Sequence, residues 1–157
     1  MIKVKLSKTE LEMATLHGKL RYRECRLHGQ EYIQDRNADS MHISIIGSIT
    51  EYAVAKYLNV FFDMNCDMRY PFPPDLISKS GNTIDVKCTT KRGGHLNSVI
   101  RSVHKPADIY ILTEYKEPII YIVGWVERQK FLIDSNIRDV GNGPYYCMPQ
   151  ARLNKFP

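Results

Sequence analysis

The segment at residues 73–87, PPDLISKSGNTIDVK, constrains the fold more than any other part of this 157-residue chain. Its centre, Ser80-Gly81-Asn82, separates two runs of alternating residues, and glycine and asparagine tolerate the left-handed backbone of a short hairpin loop. The segment therefore predicts a β-hairpin with a three-residue loop. The predicted cross-strand pairs are Lys79 with Thr83, Ile77 with Asp85, and Asp75 with Lys87.

This hairpin sorts its residues by chemistry, because successive side chains on a strand point to opposite faces. The mostly apolar face is predicted to belong to a core and carries Leu76, Ser78, Ile84, Val86 and Cys88. The other face carries Asp75, Ile77, Lys79, Thr83, Asp85 and Lys87. A slip of one residue would destroy this sorting, so the pattern itself specifies which residues share a face.

Two aspartates and a lysine on one sheet face suit the chemistry of a hard divalent cation. Mg²⁺ typically binds one or two protein carboxylates and completes its octahedron with water and phosphate oxygens. A neighbouring lysine could orient the attacking water or offset charge on a phosphate in the transition state. The alternative for the hairpin alone is a surface element whose charged side chains are solvated.

A further acid, Glu51, lies in the helix predicted at residues 41–59. It shares a strip at helical spacing with Gly47, Val54 and Leu58, which are small or apolar. An isolated ionised carboxylate on such a strip costs free energy, so a partner or a metal is expected there. The alternative is a flanking glutamate that reaches water or pairs with Lys56.

The remaining elements predict a single α/β domain with a central mixed sheet. A short strand or extended arm at residues 1–6 precedes a helix that begins with the capping box Ser7-Lys8-Thr9-Glu10 and ends near residue 27. The sheet is expected to combine the hairpin with strands at 107–113 and 119–126. Other predicted elements are a loop at 30–40, an extended stretch at 68–72, a short helix at 127–132 and an edge strand at 145–148.

Positive charge is concentrated after the hairpin. Lys and Arg number 22 against 17 Asp and Glu, for a net charge of +5, and no acid occurs between residues 86 and 107. The basic and histidine residues of that stretch are Lys87, Lys91, Arg92, His95, Arg101, His104 and Lys105. Such a run predicts a track for a phosphate backbone, with a solvated face as the alternative. The same two interpretations apply to Lys19, Arg23 and Arg26 on the first helix.

The cysteines and the hydropathy pattern argue against several classes of protein. Cys25, Cys66, Cys88 and Cys147 are spread singly with no CxxC pair, which argues against a zinc ribbon or a redox motif. The sequence shows no signal peptide and no apolar run near the length of a membrane span. A reducing, cytoplasmic location is therefore expected.

The spacing Pro74-Asp75, nine residues, Asp85-Val86-Lys87 resembles the signature of the PD-(D/E)XK nuclease superfamily. The helix GSITEYAVAKYL resembles the first core helix of these nucleases, which often supplies an additional acid. The later runs IDVKCTTKRGGHL, KPADIYILT and GNGPYYCMPQARL resemble small bacteriophage-type members. The similarity covers about residues 47–153. The signature residues here are Asp75, Asp85 and Lys87. At the middle position, held by Asp85, glutamate is also common in the superfamily.

The resemblance implies a restriction-endonuclease-like core at residues 41–157, with residues 1–40 as an N-terminal helical extension. It implies a nuclease that uses Mg²⁺ or Mn²⁺ to hydrolyse phosphodiester bonds, with DNA as the favoured nucleic acid. Asp75, Asp85, Glu51 and the Val86 carbonyl would bind the metal, and Lys87 would orient water. The expected nucleic-acid contacts are Lys91, Arg92, Arg101 and Lys105.

Two other functions stay open at this stage. One is a nucleic-acid-binding module that keeps the fold without cleaving. The other is a structure-selective nuclease of the Holliday-junction resolvase type. A homodimer is left open, no membrane partner is expected, and the location would be the host cytoplasm if the chain is phage-encoded.

Overall fold

The fold is taken from a computed structural model, which describes residues 1–28, 39–66 and 73–157. The described strands are β1 Ile2–Lys5, β2 Leu76–Ile77, β3 Thr83–Thr89, β4 Leu96–Val99, β5 Ile109–Lys116, β6 Ile119–Glu127, β7 Ile137–Arg138 and β8 Tyr145–Met148. The α-helices are α1 Lys8–Leu27, α2 Ser40–Leu58 and α3 Arg128–Phe131, and 3₁₀ turns cover Ile100–His104, Asp134–Asn136 and Gln150–Arg152. The predicted extended stretch at 68–72 and most of the predicted loop at 30–40 lie outside the described residues.

A mixed five-stranded sheet forms the centre of the molecule, which confirms the α/β class. Its strand order is β1-β6-β5-β3-β2, with β3 and β5 parallel and the other neighbours antiparallel. A second, antiparallel sheet has the order β4-β8-β7. The prediction of an edge strand at 145–148 is wrong, because β8 pairs on both sides in this second sheet.

Helices α1 and α2 both begin at a capping residue, and the capping box predicted for α1 is confirmed. The Ser7 hydroxyl accepts a hydrogen bond from Glu10 N at 3.2 Å, and the Glu10 carboxylate accepts one from Ser7 N at 2.6 Å. Asp39 caps α2 by accepting from Met41 N at 2.9 Å. The two helices pack closely at Gly18, where an added Cβ would lie 2.6 Å from the Cα of Ile45.

The main sheet is buried on both faces. One face packs on α1 and α2 through a cluster that includes Val4, Leu6, Ala14, Ile49, Val54, Ile84, Val86 and Ile111. The other face packs under the second sheet through Leu96, Tyr110, Leu112, Val123, Phe131 and Met148. The N-terminal segment thus shares its core with the rest of the chain. Among the described residues, no helix is both long enough and apolar enough to cross a membrane.

The hairpin forms, but the predicted register is wrong by two residues. Leu76 pairs with Ile84 and Ile77 with Thr83, so the loop contains the five residues 78–82. The physical reason is the closure of this wider loop by Ser78, whose N–H donates to Asn82 O at 2.9 Å and whose hydroxyl accepts from Asn82 N at 3.0 Å. A shift of two preserves the side-chain period, so Leu76 and Ile84 are still buried together.

Candidate active site

The two aspartates of the hairpin meet at a single cation. Lys105 Nζ lies 2.8 Å from Asp75 Oδ1 and 2.6 Å from Asp85 Oδ1. The Asp85 side chain is fully buried and that of Asp75 nearly so. The carboxylates therefore lie on the same side of the hairpin, as the alternation of the strand residues predicted.

Asp75 is held in place by the end of the sheet. Strand β2 begins only at Leu76, which is opposite Ile84, so no residue of β2 is opposite the N–H of Val86. Asp75 Oδ2 accepts a hydrogen bond from that N–H at 2.7 Å. The carboxylate thereby satisfies a backbone donor that would otherwise be unpaired, and it keeps Oδ1 for the cation.

Asp85 has one oxygen whose bonding is incomplete. Lys87 Nζ lies 2.7 Å from Asp85 Oδ2, as expected for residues two apart on one strand face. The contact lacks the angular geometry of a hydrogen bond, so within the described residues this buried oxygen has an ion-pair neighbour but no hydrogen-bond donor. The hydroxyl of Tyr110, which is level with Asp85 on the adjacent strand β5, is also buried without a hydrogen-bond partner there. Such groups mark a polar site that is not saturated.

Glu51 has the partner that its position on an apolar strip required. Arg21 Nη1 donates to Glu51 Oε2 at 2.5 Å. The competing prediction of a pair with Lys56 is wrong, because Lys56 bonds to Glu10 at 2.7 Å instead. Arg21 and Glu51 project from the facing sides of α1 and α2, and Asp75 is within electrostatic reach of both.

The pKa values of the three buried carboxylates are shifted in different directions because their charged neighbours differ. Burial raises the pKa of Glu51 to about 7, with Arg21 opposing and the charge of Asp75 adding to the rise. Burial also raises the pKa of Asp85, against the influence of Lys87. For Asp75 the burial effect is outweighed by Lys105, with Asp85, Lys87 and Arg21 acting in the same direction, so its pKa lies well below the usual value. We refer to these six groups, Arg21, Glu51, Asp75, Asp85, Lys87 and Lys105, as the ionic cluster.

The predicted nucleic-acid contacts occupy two different settings. Lys91 and Arg92 are exposed in the loop at residues 90–95, here called the basic loop, and neither side chain makes a hydrogen bond or ion pair with the described residues. Arg101 is exposed on the 3₁₀ turn that follows β4. Lys105 is instead inside the ionic cluster.

The basic loop is anchored although its cations are exposed. Glu114, nearly buried on β5, accepts hydrogen bonds from Gly93 N at 2.8 Å and from Gln150 Nε2 at 2.6 Å. Gln150 also donates to Gly94 O at 2.8 Å. These contacts fix the loop at the end of β3, the strand that carries Asp85 and Lys87.

The carboxylate oxygens of the ionic cluster are the kind of ligand that a hard cation such as Mg²⁺ prefers. Asp75 and Asp85 converge on one point, whereas Glu51 is only within electrostatic reach of Asp75. In the described part of the chain, no three His, Cys, Asp or Glu side chains are grouped closely enough to hold a metal as they stand. The point where the two aspartates converge is taken by the Lys105 ammonium.

The sequence analysis did not predict Arg21 as a site residue. It predicted Lys105 as a nucleic-acid contact and not as a partner of the two aspartates. For Arg21 a signal was present, since it follows Ala14 and Gly18 at helical spacing on the strip that faces α2. Arg21 lies on the small-residue strip of α1, and its partner Glu51 lies on the small-residue strip of α2. No local pattern places Lys105 near Asp75, because 30 residues separate them in the chain.

The resemblance to the nuclease superfamily depends on few residues, chiefly Asp75, Asp85, Lys87 and Glu51. The structure joins Lys87 to Asp85 and brings Asp75 and Asp85 to the same lysine, whereas Glu51 contacts Arg21. Comparison of the whole chain with known proteins adds no family to this picture: no protein-family model, no curated protein and no solved structure matches it.

Proposed function

We propose that this protein is a Mg²⁺- or Mn²⁺-dependent nuclease, on a restriction-endonuclease-like core, that hydrolyses phosphodiester bonds of nucleic acid, with DNA as the favoured substrate. The observation that carries the proposal is the convergence of Asp75 and Asp85 on one cation position, at 2.8 and 2.6 Å from the same nitrogen. Buried acids are almost always paired with cations, and here two of them converge on a single cation position.

Asp75, Asp85, Glu51 and the Val86 carbonyl would hold the metal, which supplies the positive charge that activates water and stabilises the phosphate in the transition state. Lys87 has a separate role. Its side chain is 28% exposed while its ammonium lies beside Asp85, so it joins the buried acids to the solvent. In that position it can orient a water molecule and offset charge on a phosphate oxygen.

A nucleic-acid substrate is supported by the position of the basic loop. The loop begins where β3 ends, three residues beyond Lys87, and it is anchored by Glu114. Lys91 and Arg92 are exposed there. A phosphate backbone that contacts these two cations would continue along β3 toward Lys87 and the ionic cluster.

A second candidate, a nucleic-acid-binding module without cleavage, is favoured by one observation. Each of the three carboxylates already has a cation within ion-pair distance: Arg21 for Glu51, Lys105 for Asp75, and Lys87 with Lys105 for Asp85. A cluster that is neutral on its own could serve as a structural network. The two candidates differ in whether a divalent cation can enter.

The deciding experiment is a cleavage assay with labelled linear, circular, branched and single-stranded substrates, in Mg²⁺ and in EDTA. We expect cleavage in Mg²⁺ only, and we expect Asp85→Asn to abolish it. Asp134→Asn is the matched control, since Asp134 is exposed and distant in sequence. Binding without cleavage of any substrate would favour the binding module, and cleavage of branched DNA alone would identify a junction-selective enzyme.

A further inference from the structure

Lys105 holds a position in the ionic cluster that no other cation shares. Among the described residues, its ammonium is the only group that bonds to both aspartates, at 2.8 Å from Asp75 and 2.6 Å from Asp85. Lys87 contacts only Asp85, through the other oxygen, and Arg21 contacts Glu51. The Lys105 nitrogen therefore marks the point where the oxygens of the two acids converge.

The backbone that carries Lys105 is fastened independently of its side chain. The guanidinium of Arg128 donates to three carbonyls of this segment: to Lys105 O at 2.7 Å, to Ala107 O at 3.4 Å and, over a short contact, to Val103 O. Lys105 N also donates to Ser102 O at 3.0 Å. The Lys105 side chain can thus change its position while the segment keeps its own.

The side chain also has a route out of the cluster. It is 21% exposed, whereas Asp85 is fully buried and Asp75 nearly so. Lysine has a flexible four-carbon stem and a strongly hydrated ammonium, so it can exchange a buried carboxylate for water without disturbing the core.

Charge balance indicates what would make it leave. The cluster contains three acids and three cations, so its charges balance when all three acids are ionised. A divalent cation added to it would leave a buried charge of about +2, which is costly in a poorly solvated site. Departure of one ammonium halves that excess positive charge. The Lys105 ammonium is the one that occupies the point where the two aspartates converge.

We infer that Lys105 is the resident cation of the metal position: its ammonium neutralises Asp75 and Asp85 in the metal-free protein and leaves them when a divalent cation binds. The inference rests on the metal site of the proposed function, but it does not depend on cleavage. Two consequences follow. Lys105 keeps the acids paired during folding without metal, and it competes with the metal for them.

The first test uses the wild-type protein. Reductive methylation of lysines, followed by mass spectrometry, reports the accessibility of each ammonium with and without saturating Mg²⁺. Lys105 is expected to react slowly in EDTA and about tenfold faster in Mg²⁺, because pairing suppresses the free amine. The exposed Lys91 is the internal control and should react equally in both. Calorimetric binding of Mg²⁺ with Lys105 still protected would overturn the inference.

The second test compares charge-neutral variants of the two lysines by calorimetry and thermal melting, on the full chain. Lys105→Met is expected to bind Mg²⁺ about tenfold more tightly than wild type, or about 1.4 kcal/mol, and to melt lower in EDTA. Lys87→Met removes the same charge from a non-bridging position and should tighten binding by about threefold or less. If Lys105→Met does not fold, the Mg²⁺ affinity is measured on Lys105→Gln, which keeps hydrogen-bond donors for the two acids.

The outcomes separate this inference from the nuclease proposal. Unchanged or weaker Mg²⁺ affinity in the folded Lys105 variants overturns the inference, whether or not the protein cleaves nucleic acid. Tighter affinity together with metal-dependent exposure of Lys105 supports it even if no substrate is cleaved. In that case the cation exchange would stand and the nuclease proposal would fall.

Discussion

The ionic cluster and the basic loop both contain cations beside the same strand, yet their surroundings are opposite. In the ionic cluster each cation is paired with a buried carboxylate at 2.5 to 2.8 Å. In the basic loop, Lys91 and Arg92 are exposed, and within the described residues their side chains have no partner. Buried charges are fixed by their partners, whereas exposed charges stay available to an external ligand.

This comparison suggests that the ionic cluster and the basic loop have different roles. Strand β3 carries Asp85 within its buried run and the half-buried Lys87 just beyond it, and the basic loop follows directly at its end. Substitutions in the ionic cluster should therefore affect chemistry and folding strongly. Those in the basic loop should affect only the affinity for nucleic acid and its dependence on salt.

For the proposed nuclease, the largest expected effect is a loss of cleavage when Asp85 or Lys87 of the ionic cluster is replaced. Asp85→Asn removes an anionic ligand with little change of size, and Lys87→Ala removes a cation but leaves the ligands. Both should lower the cleavage rate by about a thousandfold, since each removes a preorganised charge. Calorimetry should show weaker Mg²⁺ binding for Asp85→Asn only. Robust cleavage by that variant would refute a metal-ligand role for Asp85.

The next largest effect concerns the pair between α1 and α2. Arg21→Met leaves Glu51 buried without its partner and should lower the free energy of unfolding by about 3 to 5 kcal/mol. Replacing both residues, with Glu51→Met as the second change, should recover most of that loss because no charge is then left unpaired. Urea unfolding measures both.

Arg23→Met is the matched control for this pair, since Arg23 is exposed on the same helix. It should change the free energy of unfolding by less than about 0.5 kcal/mol. A double variant no more stable than Arg21→Met alone would show that Glu51 does not depend on Arg21.

A smaller effect is expected from pH, through His17. Burial lowers the pKa of His17 to about 4, with the charge of Arg21 acting in the same direction. A base with a lowered pKa in the folded state stabilises the fold fully above its unfolded value of about 6.5. That stability should be lost as the pH falls from about 6.5 to about 4, by about 2 to 3 kcal/mol.

His17→Gln isolates this contribution, because glutamine does not titrate and can still bond to the Ser48 hydroxyl, which lies 3.0 Å from Nδ1 of His17. Unfolding free energies of wild type and variant should diverge across that window in one direction only, with wild type losing more. Parallel pH profiles would mean that His17 titrates alike in the folded and unfolded chain.

The smallest effect on the protein itself comes from the basic loop. Lys91→Ala with Arg92→Ala should weaken binding to a short duplex and make the salt dependence shallower, by about 0.9 in slope for each phosphate that the variant no longer neutralises. The melting temperature should be unchanged. A salt titration in Ca²⁺, which suppresses cleavage, measures the slope.

Lys3→Ala with Lys5→Ala is the control of equal charge, because β1 is at the far edge of the sheet with two strands between it and β3. It should keep the wild-type slope. Equal slopes for all three proteins would mean that the basic loop is only a solvated face. The backbone would then have to approach from elsewhere, and the exposed Lys19, Arg23 and Arg26 on α1 would become the candidates.

The sequence by itself was enough to specify the local features of this protein. Side-chain alternation placed Asp75 and Asp85 on one face, and this result survived an error of two residues in the hairpin register because the period of a strand is two. The capping residues located the start of α1, and the polar residue on the apolar strip of α2 predicted that Glu51 needs a partner.

Only the tertiary structure decided which charges meet. Arg21 reaches Glu51 across a helix contact that depends on Gly18, and Lys105 reaches both aspartates from a segment fastened by Arg128. It also showed that a second sheet covers the face carrying Tyr110 and Leu112. Periodicity reports the face on which a side chain lies, but it carries no information about which distant segment packs on that face. Buried ion pairs are long-range contacts of this kind, so they follow from packing.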